Sequence, residues 1–354
     1  MPRTLTGLAA VVVLLGFLGA FCPAAANWPM FQKNITHSGI TAQDGAESDS
    51  TAWYCEILRP EGFPEDEVVW ASPIINTMAT KVYVATGFGR LYCFDLADGD
   101  SLWARDLPGG ITATPAFSDD RLFVVAQGNR SLYCLDAADG DSLWAAELGS
   151  WWYYGTGREV WVESSPIVVG DSIAYVGSRD GTVYCLHTDD GALKWQSDTL
   201  GHYVTSTPAF YEHRIYVGAT CWDPDKSGVY CLDEEDGDIL WFYVYDKGNA
   251  GGTMGSPMIA NGRMYIGTNE NTASPPYHNG GHLCYFSLPQ TEDGGPVGPP
   301  TWKYGIECDV RGTPVWVNNR VYVTSGRGMY AFDTVTDSLV LGQDHGMGII
   351  LGPV

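Results

Sequence analysis

Apolar residues along this chain come in short alternating runs rather than in long helical stripes. Segments such as Ile173-Ala-Tyr-Val-Gly177 and Thr182-Val-Tyr-Cys-Leu186 are rich in aromatic and β-branched residues and are bounded by Gly or Asp. That is the period and punctuation of β-strands, and beyond residue 26 no segment sustains the 3.6-residue period of a helix. The chain is therefore expected to be all-β, built from many short strands.

The runs repeat. Cys93-x-Asp95-x-x-Asp98-Gly99-x-x-x-Trp103 returns as Cys134, Asp136, Asp139, Gly140 and Trp144, as Cys185, His187, Asp190, Gly191 and Trp195, and as Cys231, Asp233, Asp236, Gly237 and Trp241. Upstream, Ser72-Pro73, Thr114-Pro115, Ser165-Pro166, Thr207-Pro208, Ser256-Pro257 and Thr313-Pro314 each precede an apolar stretch centred on Tyr83, Phe123, Tyr175, Tyr216, Tyr265 or Tyr322. Six repeats thus start near residues 72, 114, 165, 207, 256 and 313, with successive prolines 42, 51, 42, 49 and 57 residues apart. A period of about 40 to 50 residues is that of the four-stranded antiparallel blade of a β-propeller. Asp-x-x-Asp-Gly reads as the turn between third and fourth strands, where Asp bonds the nearby backbone and Gly accepts a positive φ. The Trp then falls on the outer strand, where a large ring can pack one sheet on the next.

The eleven-residue outline resembles the tryptophan-docking motif of pyrroloquinoline quinone (PQQ) propellers, Ala-x-Asp-x-x-Thr-Gly-Lys-x-x-Trp, with Cys for Ala and Asp for Thr. Asn27-Trp28-Pro29-Met30-Phe31, His37 and Gly39 resemble the opening of secreted PQQ-like repeat proteins. The resemblance covers nearly all of residues 27–354 and implies that Trp103, Trp144, Trp195, Trp241, Trp302, Gly99, Gly140, Gly191 and Gly237 are structural docking residues. Repeat five departs from it with Tyr285 and Ser287, reaching Trp302 through an insertion; repeat six has Asp337 for Gly and Leu341 for Trp. In repeat type the chain is also similar to the outer-membrane assembly lipoprotein of the PQQ-like family, though Phe21 ahead of Cys22 is too bulky for lipoprotein processing.

Two features bear on the ring's ends. Trp53-Tyr54-Cys55, in residues 51–58, look like an outer strand without its own blade, expected to close the ring by completing the last sheet. Residues 348–354 resemble the approach to another repeat, so a ring of seven or eight blades and a C-terminally incomplete chain are expected.

Residues 1–26 carry Arg3, an uncharged apolar run over 5–21 and then Ala24-Ala25-Ala26, the layout of a cleaved secretory signal. An exported protein is expected, in the periplasm, on the cell surface or secreted, and no later stretch has the roughly 20 apolar residues of a spanning helix. The chain holds 19 Lys and Arg against 42 Asp and Glu, a formal charge of −23. Such an acidic surface repels nucleic acid and anionic membranes, and Asp-rich turns account for much of it.

Of the nine cysteines, four recur at one position in successive blades. Facing sheets stand about 10 Å apart and disulfide-linked Cα atoms about 4.4 to 6.8 Å, so these four are expected to be small core residues rather than pairs. Cys55, Cys221, Cys284 and Cys308 lie off that register, and their pairing is left open.

Candidate chemistry is sparse. The PQQ alternative, a dehydrogenase or its degenerate relative using PQQ and calcium, lacks the vicinal Cys pair of the alcohol-oxidising relatives and an identifiable base. Asp223-Pro-Asp225-Lys-Ser227-Gly228 imitates the start of a calcium loop with Glu234 at its twelfth place, but residues 229–233 align with a strand that carries Glu234 away. His278 and His282 read as loop residues, two histidines without a third donor. The best candidates for a partner surface are the aromatics Trp151, Trp152, Tyr153, Tyr154 and Trp222. The Pro- and Gly-rich insertions 271–281 and 290–300 add loops on which contacts can be built. Together these features describe a non-catalytic exported propeller that binds a protein or envelope component and carries no cofactor. The alternatives are the PQQ enzyme and a carbohydrate-binding propeller.

Overall fold

The computed structural model describes residues 10–14, 29–37, 53–57, 69–149, 164–220, 227–244, 255–268, 270–271, 279–288, 299–306, 310, 312–325 and 328–344. Apart from the pair Ala10–Leu14 and Trp53–Ile57, these form six antiparallel sheets, each built on a meander of four strands in chain order. Blade 1 is Ile74–Ile75, Lys81–Ala85, Arg90–Asp95 and Ser101–Asp106; blade 2 is Ala116–Ser118, Arg121–Ala126, Ser131–Asp136 and Ser142–Glu147. Blade 3 follows as Ile167–Val169, Ile173–Gly177, Val183–His187 and Leu193–Gln196, and blade 4 as Ala209–Tyr211, Arg214–Ala219, Gly228–Asp233 and Ile239–Val244. Blade 5 is Met258–Ala260, Arg263–Gly267, Asn279–Ser287 and Trp302–Ile306, and blade 6 is Val315–Val317, Arg320–Ser325, Gly328–Asp333 and Ser338–Asp344. No helix among the described residues is long and apolar enough to cross a membrane.

The hairpins explain the local folding. First and second strands join through pairs such as Asp119-Asp120 (φ +50° and +55°), Glu212-His213 (+48° and +60°) and Asn318-Asn319 (+49° and +60°). Two successive positive φ values define the type I′ turn, whose twist matches that of the flanking strands. At the hairpin between third and fourth strands the first Asp of the motif accepts from the amide two residues on, as in Asp95 Oδ1 from Ala97 N (2.8 Å) and Asp136 Oδ1 from Ala138 N (2.7 Å).

Register puts the repeated residues in one row. Tyr83, Cys93 and Trp103 are directly opposite across three strands, as are Phe123, Cys134 and Trp144, and Tyr175, Cys185 and Trp195. Strands two apart lie about 9.5 Å from each other, yet the two rings of each row approach to 5.7–6.0 Å between centroids. They close over the Cys, which must therefore be small. A bulge beside each of these cysteines skips Leu102, Leu143 or Lys194 in the outer strand and turns the Trp toward the next blade.

Trp53–Ile57 pairs antiparallel with Ala10–Leu14, part of the segment read as a leader, and blade 6 takes its four described strands from 315–344. Trp53 packs ahead of blade 1, described below, so the strand sits where an outer strand preceding that blade would lie. His282 is not in a loop but within the strand Asn279–Ser287, and Glu270–Asn271 pairs with Asn279 and Gly280, so both ends of the first insertion extend blade 5.

Candidate functional site

Each outer-strand tryptophan keys its blade to the following one. The rings of Trp103, Trp144 and Trp195 lie on Gly140, Gly191 and Gly237, whose φ values are +78°, +72° and +80°. A Cβ built on these glycines would stand 2.8, 2.5 and 2.5 Å from the indole, so only Gly satisfies both the turn and the ring. The indole N–H groups donate to main-chain carbonyls of the same turns: Trp103 to Ala137 (3.4 Å), Trp144 to Thr188 (2.9 Å) and Trp195 to Glu234 (2.9 Å).

Sequence reading missed the first member of this set. Trp53 lies on Gly99 and donates from Nε1 to Leu96 O at 2.9 Å. Its position held a usable signal: Trp53 precedes Gly99 by 46 residues, within the 37 to 47 that separate the other three Trp–Gly pairs.

The departures in repeats five and six are accommodated. Trp241 is fully buried against Phe286 (5.9 Å between centroids), but its Nε1 has no partner among the described residues. Trp302 stacks on Tyr285 (5.8 Å) and meets Phe332 edge-on at 5.4 Å. Asp337, standing where other repeats have Gly, keeps the positive φ at +50° and is held by Arg263 Nη1 (3.1 Å) and the Tyr285 hydroxyl (2.8 Å).

The Ser-Pro and Thr-Pro dipeptides form a second, inner linkage. The amide of Ser72 donates to Thr114 Oγ1 (3.1 Å), Thr114 to Ser165 Oγ (2.9 Å), Ser165 to Thr207 Oγ1 (3.1 Å), Thr207 to Ser256 Oγ (2.8 Å) and Ser256 to Thr313 Oγ1 (3.3 Å). Each of blades 2 to 6 thus offers a hydroxyl acceptor to its predecessor, and the following Pro adds no N–H that would need a partner. Ser165→Ala is expected to cost about 1–3 kcal/mol by stranding the buried Thr114 amide, whereas Ser165→Thr should unfold at nearly the wild-type urea concentration.

Inside the ring lies residues 29–37. Three inner edge strands donate to it at one equivalent position: Phe117 N of blade 2 to Pro29 O (2.6 Å), Phe210 N of blade 4 to Ile35 O (2.7 Å) and Ile259 N of blade 5 to Thr36 O (2.8 Å). Inner edges face the axis of a propeller, so the segment crosses it. Met30, Phe31 and His37 are buried. His37 Nδ1 donates to the Pro257 carbonyl at 2.7 Å, its ring meets Phe31 edge-on at 5.1 Å, and Nε2 has no partner among the described residues. Burial holds this imidazole down to about 4, the Pro257 carbonyl opposing the shift.

The remaining candidates carry little chemistry. Cys93, Cys134, Cys185 and Cys231 are free and fully buried, and burial pushes their thiols up to about 12. A thiol so held has almost no reactive thiolate at pH 8, so Ellman's reagent should leave these four unmodified in native protein and titrate them in guanidinium. Cys284 is buried and Cys55 half-buried. Glu234 is committed to the blade 4 turn, its Oε1 accepting from His213 Nδ1 at 2.9 Å while its carbonyl holds Trp195. Among the described residues no three His, Cys, Asp or Glu side chains are gathered as for a metal ion. Trp151, Trp152, Tyr153, Tyr154, Trp222, Asp223, Asp225, His278, Cys221 and Cys308 lie outside the described residues.

Four-stranded blades keyed by tryptophan on glycine and linked by a chain of hydroxyls define a PQQ-like repeat propeller. The chain belongs to the family described as outer membrane protein assembly factor BamB, whose model matches residues 39–150 and 153–348. BamB of Marinobacter adhaerens is 26% identical over 139 residues, 38% of this chain and 31% of that protein. Tetrathionate hydrolase of Acidithiobacillus ferrooxidans is 22% identical over 297 residues, 76% of this chain and 52% of that one. The chain therefore spans about a third to a half of the length of these relatives. The crystal structure of BamB from Moraxella catarrhalis superposes with a TM-score of 0.61 over 84% of this chain and 80% of that one; at 15% identity this is a likeness of fold.

Proposed function

We propose that this protein is an exported, non-catalytic propeller that binds and scaffolds protein components of the cell envelope. The observation that carries the reading is the axial segment: residues 29–37 bond to the inner edges of blades 2, 4 and 5 and bury Met30, Phe31 and His37, which favours the loops and rims as the working surface. Membership of the BamB family supports a protein partner in outer-membrane assembly, and the buried thiols support the absence of redox work at the repeated cysteines. The acidic composition favours a neutral or basic partner surface.

Crosslinking in the intact envelope followed by mass spectrometry is the test. The expected result is one reproducible protein partner crosslinked to loop residues at a near-stoichiometric ratio. Saturable turnover of an alcohol or sugar by purified protein supplied with PQQ and calcium, with no envelope crosslink, would overturn the reading. Export is read from residues 1–26, so protein recovered from the envelope should have the intact mass of a chain beginning at Asn27.

A further inference from the structure

The segment across the axis is built differently from everything around it. The blades are held by ladders, by indole-on-glycine docking and by the hydroxyl chain, none of which uses residues 29–37. The segment is attached by main-chain hydrogen bonds from blades 2, 4 and 5, by the bond from His37 to Pro257, and by the apolar side chains of Met30 and Ile35, which pack on the core of blades 2 to 4. Its own backbone is strained: Gln32, Lys33 and His37 stand at φ +50°, +73° and +57°, a region that side chains with a Cβ disfavour. Releasing it relieves three such residues and breaks no blade.

His37 pins the segment at its blade 5 end. The Pro257 carbonyl from blade 5 bonds its ring and the Phe31 ring of the segment itself meets it edge-on, and neither titrates. Among the described residues no carboxylate or cation contributes to its titration; burial is the dominant cause and the carbonyl the only opposing one. With Nδ1 already donating to Pro257, a second proton would go on Nε2, which is buried with no acceptor among the described residues. An unpaired cationic N–H in that apolar site is costly, and the seated geometry offers nothing to relieve it.

We propose that residues 29–37 form an acid-releasable strap: protonation of His37 unseats the segment and opens the axis while the six blades stay folded. The open state exposes the inward amides of Phe117, Phe210 and Ile259, the backbone donors that the strap's carbonyls occupy at neutral pH.

Amide hydrogen exchange at residue resolution, corrected for the intrinsic rate at each pH, tests this. His37 in the released strap has the ordinary value near 6.5 and in the seated strap about 4, so opening should rise roughly a hundredfold between pH 7 and pH 4. Protection at Phe117, Phe210 and Ile259 should fall together by that factor while the middle-strand ladders of the same blades keep theirs. His37→Asn retains a donor for Pro257 but takes up no proton, and should hold the three amides independent of pH; His37→Phe, which retains a ring against Phe31, is the second variant should the first misfold. Three amides that stay protected at pH 4, or that lose protection in step with the middle-strand ladders, would overturn the proposal. The same acid response in both variants would overturn it as well.

Discussion

Replacing Trp195 by alanine is expected to destabilise the protein by about 3–5 kcal/mol, the usual range for deleting a buried Trp. The ring is 7% exposed, packs on Tyr175 at 5.7 Å within its own blade, lies on Gly237 of the next and donates to Glu234 O at 2.9 Å. Gly237→Ala should cost about 2 kcal/mol or more, since the new methyl meets both a φ of +80° and an indole carbon at 2.5 Å. The two effects share one contact and cannot add. Once the ring is gone, Gly237→Ala faces only the backbone penalty, so the double variant should lose about 1 kcal/mol less than the sum of the singles. Urea denaturation of the four proteins closes this cycle, and strict additivity would mean that ring and glycine do not meet. Trp241 supplies a contrast: its Nε1 has no described partner, so Trp241→Phe should cost less than Trp144→Phe, which gives up the bond to Thr188.

Acid should destabilise the wild-type protein through His37 more than through any other described group with a resolved shift. Its folded value of about 4 lies below the unfolded value of 6.5, so between those limits the unfolded chain binds the extra proton and the native chain does not. Stability is then complete above pH 6.5 and falls as pH drops through that window, reaching a loss of roughly 3 kcal/mol near pH 4. Release of the strap caps this loss at the strength of its attachment, because a freed His37 titrates normally. The buried thiols and tyrosines titrate far above this range, and Asp333, held low by the amides of Val335 and Thr336, acts below it. Urea midpoints of wild type and His37→Asn from pH 7 to pH 4 should diverge steadily, the variant staying flatter. Parallel curves would show that His37 is not buried in solution.

The framework of this fold was written in side chains. Aromatic, Cys and Trp recur because they share one cross-strand row, Asp-Gly because a turn needs positive φ, and Ser-Pro or Thr-Pro because each hydroxyl accepts from the preceding blade. Those repeated local demands make blades and docking residues legible. The axial segment was not legible for the opposite reason. Its hydrogen bonds to blades 2, 4 and 5 run mainly through the carbonyls of Pro29, Ile35 and Thr36, which any residue could supply, while His37 donates from its side chain and Met30 and Ile35 add apolar contacts of no fixed pattern. Trp53 was overlooked as a docking residue because the Cys-x-Asp-x-x-Asp-Gly outline that leads into Trp103 and Trp144 does not precede it. Asp337 read as decay of the motif, although Arg263 and Tyr285 from the neighbouring blade restore the turn; such compensation between blades has no fixed spacing along the chain.

The central claim is that the ring's centre belongs to the chain itself and that function lies on the surface. Titration of purified protein with PQQ and calcium at pH 7, followed by hydrogen exchange at Phe117, Phe210 and Ile259, tests it most directly. The account predicts no saturable binding and unchanged protection at all three amides. Saturable binding accompanied by loss of protection at those amides would show that the strap yields the axis to a ligand, and would contradict it.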